Sequence, residues 1–141
     1  MPLDIGKPLT HGTVLLENRG AKPARITAVH LDRQRGPLQV LGILASPVGH
    51  KGLIAIMPGF LPRGWALPNA GKAVGYVIQP GRHAELLIGV RLKKAGVAGY
   101  HSITLDYIAG GTRYRATYND PMRTCGPLKT YANNCNTPPA D

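Results

Sequence analysis

Apolar and polar residues alternate along two long stretches in the second half of the chain. Between Ala84 and Leu92 every even-numbered residue is apolar, whereas the odd-numbered ones include charges of both signs. This period of two predicts a strand with one face toward a core and the other mostly in solvent. A second alternating stretch begins near Tyr100 and is interrupted by Gly110-Gly111, which predicts a β-hairpin.

The two-residue turn of this hairpin fixes its register, because it sets Ala109 opposite Thr112. Counting outward gives these opposing pairs on one face: Tyr107 with Tyr114, Leu105 with Ala116, and Ile103 with Tyr118. The other face pairs Asp106 with Arg115 and Thr104 with Thr117. Since the first face is the apolar one, it is predicted to cover the core. Tyr100 and Tyr131 are then the rings expected to be exposed.

The first half of the chain contains short apolar segments that are bounded by Gly, Pro or Asn. They cover residues 13–18, 24–31, 37–45, 53–57 and 73–79. No helical period of 3.6 competes with them, and 18 glycines and 13 prolines punctuate the chain. The pattern predicts an all-β protein of about seven to nine strands, folded as a sandwich or a barrel.

The length of 141 residues suits a single compact domain. We expect residues 1–120 to form the β-sandwich and residues 121–141 to be a C-terminal extension. Cys125 and Cys135 stand close together there, separated by a turn-rich segment, so a disulfide-closed loop is predicted. A disulfide indicates an oxidising compartment.

Several short motifs occur in an order that resembles bacterial extracytoplasmic immunoglobulin-like sandwiches over about residues 8–120. They are Val14–Gly20 with its Asn-x-Gly turn, Pro23–Ile26, Gln79-Pro80-Gly81, and Gly99-Tyr100. The resemblance implies an immunoglobulin-like antiparallel Greek-key β-sandwich. The layout is also similar to short envelope-anchored actinobacterial proteins. That similarity implies a secreted or envelope-anchored domain whose N-terminal leader or anchor has been removed.

At the level of the fold the chain also resembles periplasmic copper chaperones. Their Cu(I) ligands do not carry over, because Met1, Met57 and Met122 are the only methionines and no His-x-Met pair occurs. We therefore expect no metal and no cofactor, and keep copper handling as the first alternative function.

Catalytic constellations are not visible in the sequence. Five histidines and seven acidic residues are scattered singly, no serine lies in a Gly-x-Ser-x-Gly elbow, and the glycines lack phosphate-loop spacing. We therefore predict that the protein is not an enzyme.

The net charge of +10 is distributed along the whole chain. Residues 1–70 hold eight basic and three acidic side chains, and residues 71–141 hold nine and four. Such charge favours an anionic surface polymer or lipid of the cell envelope as partner. Nucleic acid is a weaker alternative, because few exposed rings are expected for base stacking. Arg91, Arg113 and Arg115 are the candidate basic contacts.

The segment from residue 57 to 68 contains the only Phe and the only Trp of the chain. Phe60, Arg63 and Trp65 are candidate anchors for a protein partner, since rigid aromatic rings beside an arginine are typical of interfaces. In the alternative interpretation the two rings fold back and plug the end of the sandwich. The sequence thus predicts a non-catalytic interaction or scaffolding module that binds a protein partner or an anionic envelope component.

Overall fold

A computed structural model of the chain describes residues 1–48, 55–60, 69–131 and 135. These residues are all-β and contain no helix, which confirms the predicted class. Eleven strands are present in the described ranges, and two of them are only two residues long. They are β1 (Leu9–Glu17), β2 (Ala24–Asp32), β3 (Leu38–Pro47), β4 (Ala55–Pro58), β5 (Gly71–Lys72), β6 (Val77–Ile78), β7 (His83–Leu92), β8 (Gly96–Tyr100), β9 (Ser102–Ala109), β10 (Thr112–Tyr118) and β11 (Met122–Gly126).

The strands form three antiparallel sheets. The largest has the order β4-β1-β7-β3-β5, the second has the order β10-β9-β2-β6, and β11 pairs with β8. Buried side chains of the two larger sheets join in one hydrophobic cluster, to which β1 contributes Leu16, β7 Ile88, β2 Ile26 and β9 Leu105. Two sheets that share one apolar core in this way have the arrangement of a β-sandwich.

The predicted hairpin is confirmed in every pair. β9 and β10 pair from Ala109↔Thr112 to Ile103↔Tyr118 in the predicted register. Both turn glycines have positive φ, 58° at Gly110 and 77° at Gly111. A type I′ turn requires this conformation at its two central positions, which is why a Gly-Gly pair specifies the register.

Two tyrosines differ in exposure from the prediction: Tyr100, expected to be exposed, is buried, and Tyr114, expected to cover the core, is exposed. Tyr100 is only 4% exposed, because it ends β8 with its ring directed into the interior, where its hydroxyl bonds to His11. Tyr114 is 46% exposed although it lies on the inward face of the hairpin. Its strand is the last of the sheet, so the core covers only part of that face.

Strand β7 is buried on both faces, which corrects the expectation that its odd-numbered face is mostly in solvent. Glu85 and Leu87 are each 2% exposed. β7 is the central strand of its sheet, and Phe60 covers part of its outer face. A Cβ on Gly89 would lie 2.2 Å from the Phe60 ring, so the glycine provides the space that the ring occupies.

The segment after residue 120 returns to the body of the protein. β11 pairs with β8, and Met122 is part of the hydrophobic core. Cys125 is buried and forms the predicted disulfide with Cys135, whose Cα lies 5.5 Å away. The carbonyl of Cys125 also accepts a hydrogen bond from the amide of Leu3 at 2.7 Å.

Candidate binding site

A cleft of about 600 Å³ opens between the two larger sheets, beside the β9–β10 turn. Its lining includes the buried apolar side chains of Leu16, Ile26 and Leu105. Tyr107 and Tyr114 also line it, and their rings stack with centroids 5.2 Å apart. We call this the tyrosine cleft. Its volume and mixed apolar and aromatic lining are typical of ligand sites in proteins.

The tyrosine cleft continues along the inner face of β10. Tyr118 lines it and also lines a second cleft of about 310 Å³, which reaches Thr13 on β1 and Asp120 after β10. Side chains on one face of a strand recur every second residue, so Tyr114, Ala116 and Tyr118 all face this groove. The groove therefore follows the whole length of β10.

The outer edge of β10 presents backbone groups that β9 does not use. In a hairpin with a two-residue turn, the residues that flank the turn form a hydrogen-bonded pair, and such pairs alternate outward from it. Ala109 and Thr112 are that flanking pair. The N–H and C=O groups of Arg113, Arg115 and Thr117 consequently point away from β9. β10 ends its sheet within the described part of the chain, so these groups form an open edge.

Arg113 and Arg115 extend from the outer face of the same strand, and both are exposed. Arg115 donates two hydrogen bonds to Asp106, at 2.7 and 3.2 Å, and His30 Nε2 lies 3.2 Å from the same carboxylate. The Arg115 guanidinium, and after it His30, lowers the pKa of Asp106 to about 2. Arg113 has no ion pair among the residues that the structure describes, so its charge is available at the open edge.

The remaining predicted contacts do not lie beside these two arginines. Arg91 is on β7, in the other large sheet, and its Nε donates to Gln39 Oε1 at 2.7 Å. Phe60 is half-buried against Gly42 and Gly89, in the position of a packing side chain. Arg63 and Trp65 lie outside the described residues.

A buried polar network connects β1 with β8 and with the segment after β10. His11 is 3% exposed, its Nδ1 bonds to the Tyr100 hydroxyl, and its Nε2 lies 2.8 Å from Thr13 Oγ1. Thr13 also donates to Asp120. A β-bulge between residues 11 and 14 brings Thr13 beside His11. Burial lowers the pKa of His11 and raises that of Tyr100, while Asp120 partly opposes the effect on His11.

Sequence reasoning missed this network because its members come from three distant segments. The one local signal is that the polar residues at positions 11 and 13 directly precede the apolar run Val14-Leu15-Leu16 of β1. Every buried polar side-chain atom of the described residues has a hydrogen-bond partner. The network therefore ties β1 to the small β8–β11 sheet and to the segment that follows β10.

Neither a metal centre nor a membrane helix is seen in the described ranges. They hold no group of three or more His, Cys, Asp or Glu side chains positioned to bind a metal ion. They also hold no helix that is long and apolar enough to cross a membrane.

No protein-family model matches the chain, and none of the curated proteins matches it significantly.

Proposed function

We propose that this protein is an extracytoplasmic, non-catalytic interaction module that binds an extended segment of a protein partner along β10. The observation that carries the proposal is the position of an open strand edge directly beside the tyrosine cleft. The two features together match what a peptide needs in order to add a strand to a sheet.

The proposal includes an immunoglobulin-like Greek-key sandwich and a location outside the cytoplasm. Strand neighbours that are distant in sequence, such as β1 with β7 and β2 with β9, support a Greek-key connection. The Cys125–Cys135 disulfide supports an oxidising compartment, as in secreted or envelope-anchored proteins.

Strand addition at β10 makes specific demands on the partner. Its backbone would pair with the outward N–H and C=O groups of Arg113, Arg115 and Thr117. Alternate side chains would enter the groove beside Tyr114, which favours apolar or aromatic residues there. The intervening side chains would lie next to the guanidinium groups of Arg113 and Arg115, which favours acidic or polar residues. The partner segment therefore alternates apolar and acidic residues.

Selection from a displayed library of random ten-residue peptides tests this proposal. Arg113→Pro removes one outward N–H and places a ring at the open edge, a substitution that edge strands tolerate. The affinity of selected peptides, measured by fluorescence anisotropy, should fall at least about tenfold in this variant. Arg113→Gln is the matched control, because it removes the charge and keeps the amide.

The expected outcome is an alternating apolar and acidic consensus whose binding is lost in Arg113→Pro and only weakened in Arg113→Gln. Selection of no consensus would contradict the proposal, as would undiminished binding by a folded Arg113→Pro domain. A concentration-dependent dimer that Arg113→Pro abolishes would instead assign the edge to a second copy of this chain.

The two alternative functions have direct tests of their own. Titration with Cu(I) tests copper handling, and the salt dependence of DNA and RNA binding tests the nucleic-acid alternative.

A further inference from the structure

A third cleft, of about 530 Å³, lies on the small β8–β11 sheet, and its lining is strongly basic. Four of its side chains can carry positive charge, namely those of Arg33, Arg35, His101 and Arg123. All four are exposed, and no acidic residue is part of the lining. We call this the arginine cleft. None of its members belongs to the β10 edge or to the tyrosine cleft.

The register of the strands explains why these residues meet. Arg35 is bridged to Gly99, with N···O distances of 2.9 and 3.1 Å, and Arg123 pairs with Gly99 from the other side. Arg35 and Arg123 thus lie on either side of Gly99, which has no side chain. The Cα atoms of the two arginines are about 10 Å apart, which is the width of two strand spacings. Arginine side chains are long enough for both guanidinium groups to reach one anion placed over Gly99.

Arg33 and His101 form a second pair of side chains in the cleft, next to Arg35 and Arg123. The amide of His101 donates to the carbonyl of Asp32 at 2.9 Å, which brings Arg33 beside His101. Arg33 has a φ of 54°, in the left-handed region that side-chain-bearing residues rarely adopt. Its side chain lines the cleft together with those of Arg35 and Arg123.

The acidic residues nearest in sequence are engaged elsewhere. The Asp32 carboxylate accepts hydrogen bonds from Ser102 and Thr104, at 2.9 and 2.6 Å. Asp120 accepts one from Thr13. In the described part of the chain, the side chains of the arginine cleft have no ion pair.

We infer that the arginine cleft binds a phosphate-type anion, in which tetrahedral oxygens accept hydrogen bonds from Arg35 and Arg123. Guanidinium groups suit this ligand, because their planar donors match phosphate oxygens two at a time. Arg33 and His101 would add positive charge beside these two arginines. The ligand is either a soluble phosphate or the phosphate of a lipid headgroup, since both offer the same oxygens. The site is independent of the function proposed for β10.

Titration of the ¹⁵N-labelled protein with inorganic phosphate, at constant ionic strength, tests the site. Saturable shifts should be confined to the amides around Arg35, Gly99 and Arg123. The double variant Arg35→Gln/Arg123→Gln should bind phosphate at least about tenfold more weakly. Arg25→Gln/Arg82→Gln is the matched control, since it removes the same charge at exposed positions away from the cleft.

Two results would overturn the inference. One is the absence of localised, saturable shifts in the original protein. The other is an equal loss of phosphate binding in the control variant, which would mean that only overall charge matters. Both variants change exposed side chains, and their amide spectra report whether the fold is retained.

Vesicles distinguish the two sources of phosphate. Sedimentation with phosphatidylglycerol vesicles that is lost in Arg35→Gln/Arg123→Gln and kept in the control would assign the site to a lipid headgroup. Phosphate binding at the cleft, together with equal sedimentation of both variants, would assign it to a soluble phosphate. Loss of Arg113 should not affect either measurement, which separates this site from the peptide-binding edge.

Discussion

Replacing Gly99 with alanine should separate β11 from β8. A Cβ at this position would lie 2.0 Å from the carbonyl oxygen of Met122 and 3.1 Å from the Cα of Arg123. Both are backbone atoms, so no change of side-chain rotamer relieves the overlap. Gly99 is also bonded through its own N–H and C=O to Arg35, which prevents it from moving away without breaking that bridge.

The structure gives the approximate size of the effect. Real Cβ atoms essentially never lie closer than 3.0 Å to another heavy atom, so β11 must move away from β8 by about 1 Å. Overpacking of this kind costs about 1–3 kcal/mol. Weakening one or two strand-pairing hydrogen bonds adds about 1 kcal/mol. A total of about 2–4 kcal/mol should lower the melting temperature of a chain of this size by about 6–12 °C.

Urea unfolding followed by circular dichroism measures this loss. Gly71→Ala is the matched control, because Gly71 also lies in a short strand and no atom is within 4 Å of its added Cβ. The control should stay within about 0.5 kcal/mol of the original protein. Equal stability of Gly99→Ala and Gly71→Ala would refute the close approach of β8 and β11, and with it the row of side chains that forms the arginine cleft.

Three further changes have defined outcomes. Lowering the pH from 7 to 5 should destabilise the fold. Burial holds the pKa of His11 below its ordinary value, so the unfolded chain binds the proton more readily than the folded one. A midpoint of urea unfolding that does not fall between pH 7 and pH 5 would contradict this. Cys125→Ala/Cys135→Ala should lower the free energy of unfolding by about 2–3 kcal/mol, and a loss below about 1 kcal/mol would argue against the entropic effect of the closed loop. Phe60→Ala should cost about 1–3 kcal/mol in chemical unfolding, since the ring covers Gly89; an unchanged free energy would instead favour a free interface side chain.

Local patterns predicted the hairpin well because its determinants are local. The Gly110-Gly111 turn and the alternation on either side specify one register, and a shift by one residue would exchange the two faces. The disulfide was likewise visible from two cysteines separated by a turn-rich segment. In both cases, neighbours in sequence are neighbours in space.

The errors arose where exposure depends on distant parts of the fold. Alternation correctly placed Tyr114 on the inward face, but it contains no information about where the opposite sheet ends. The face of β7 that carries Leu87 was expected to lie mostly in solvent, whereas the central position of β7 buries both of its faces.

The arginine cleft was invisible for the same reason. Arg35, Gly99 and Arg123 come together only through the β8 pairings, across more than 60 residues of chain. Taken alone, each residue reads as an ordinary part of a basic surface. The pairing of β8 with β11 and the isolated bridge from Arg35 to Gly99 place these residues side by side.

The central position of β7 also determines the order in which this protein can fold. Its partners in the sheet are β1 and β3, and both precede it in the chain, so both neighbours are synthesised before the strand that joins them. Contacts between such distant segments require large loops to close, and sheets built from them form slowly. Until β7 is synthesised, the edges of β1 and β3 that β7 will cover stay open to pairing with other chains. A truncated chain that ends before residue 83 should therefore aggregate, and refolding should become less efficient as the protein concentration rises.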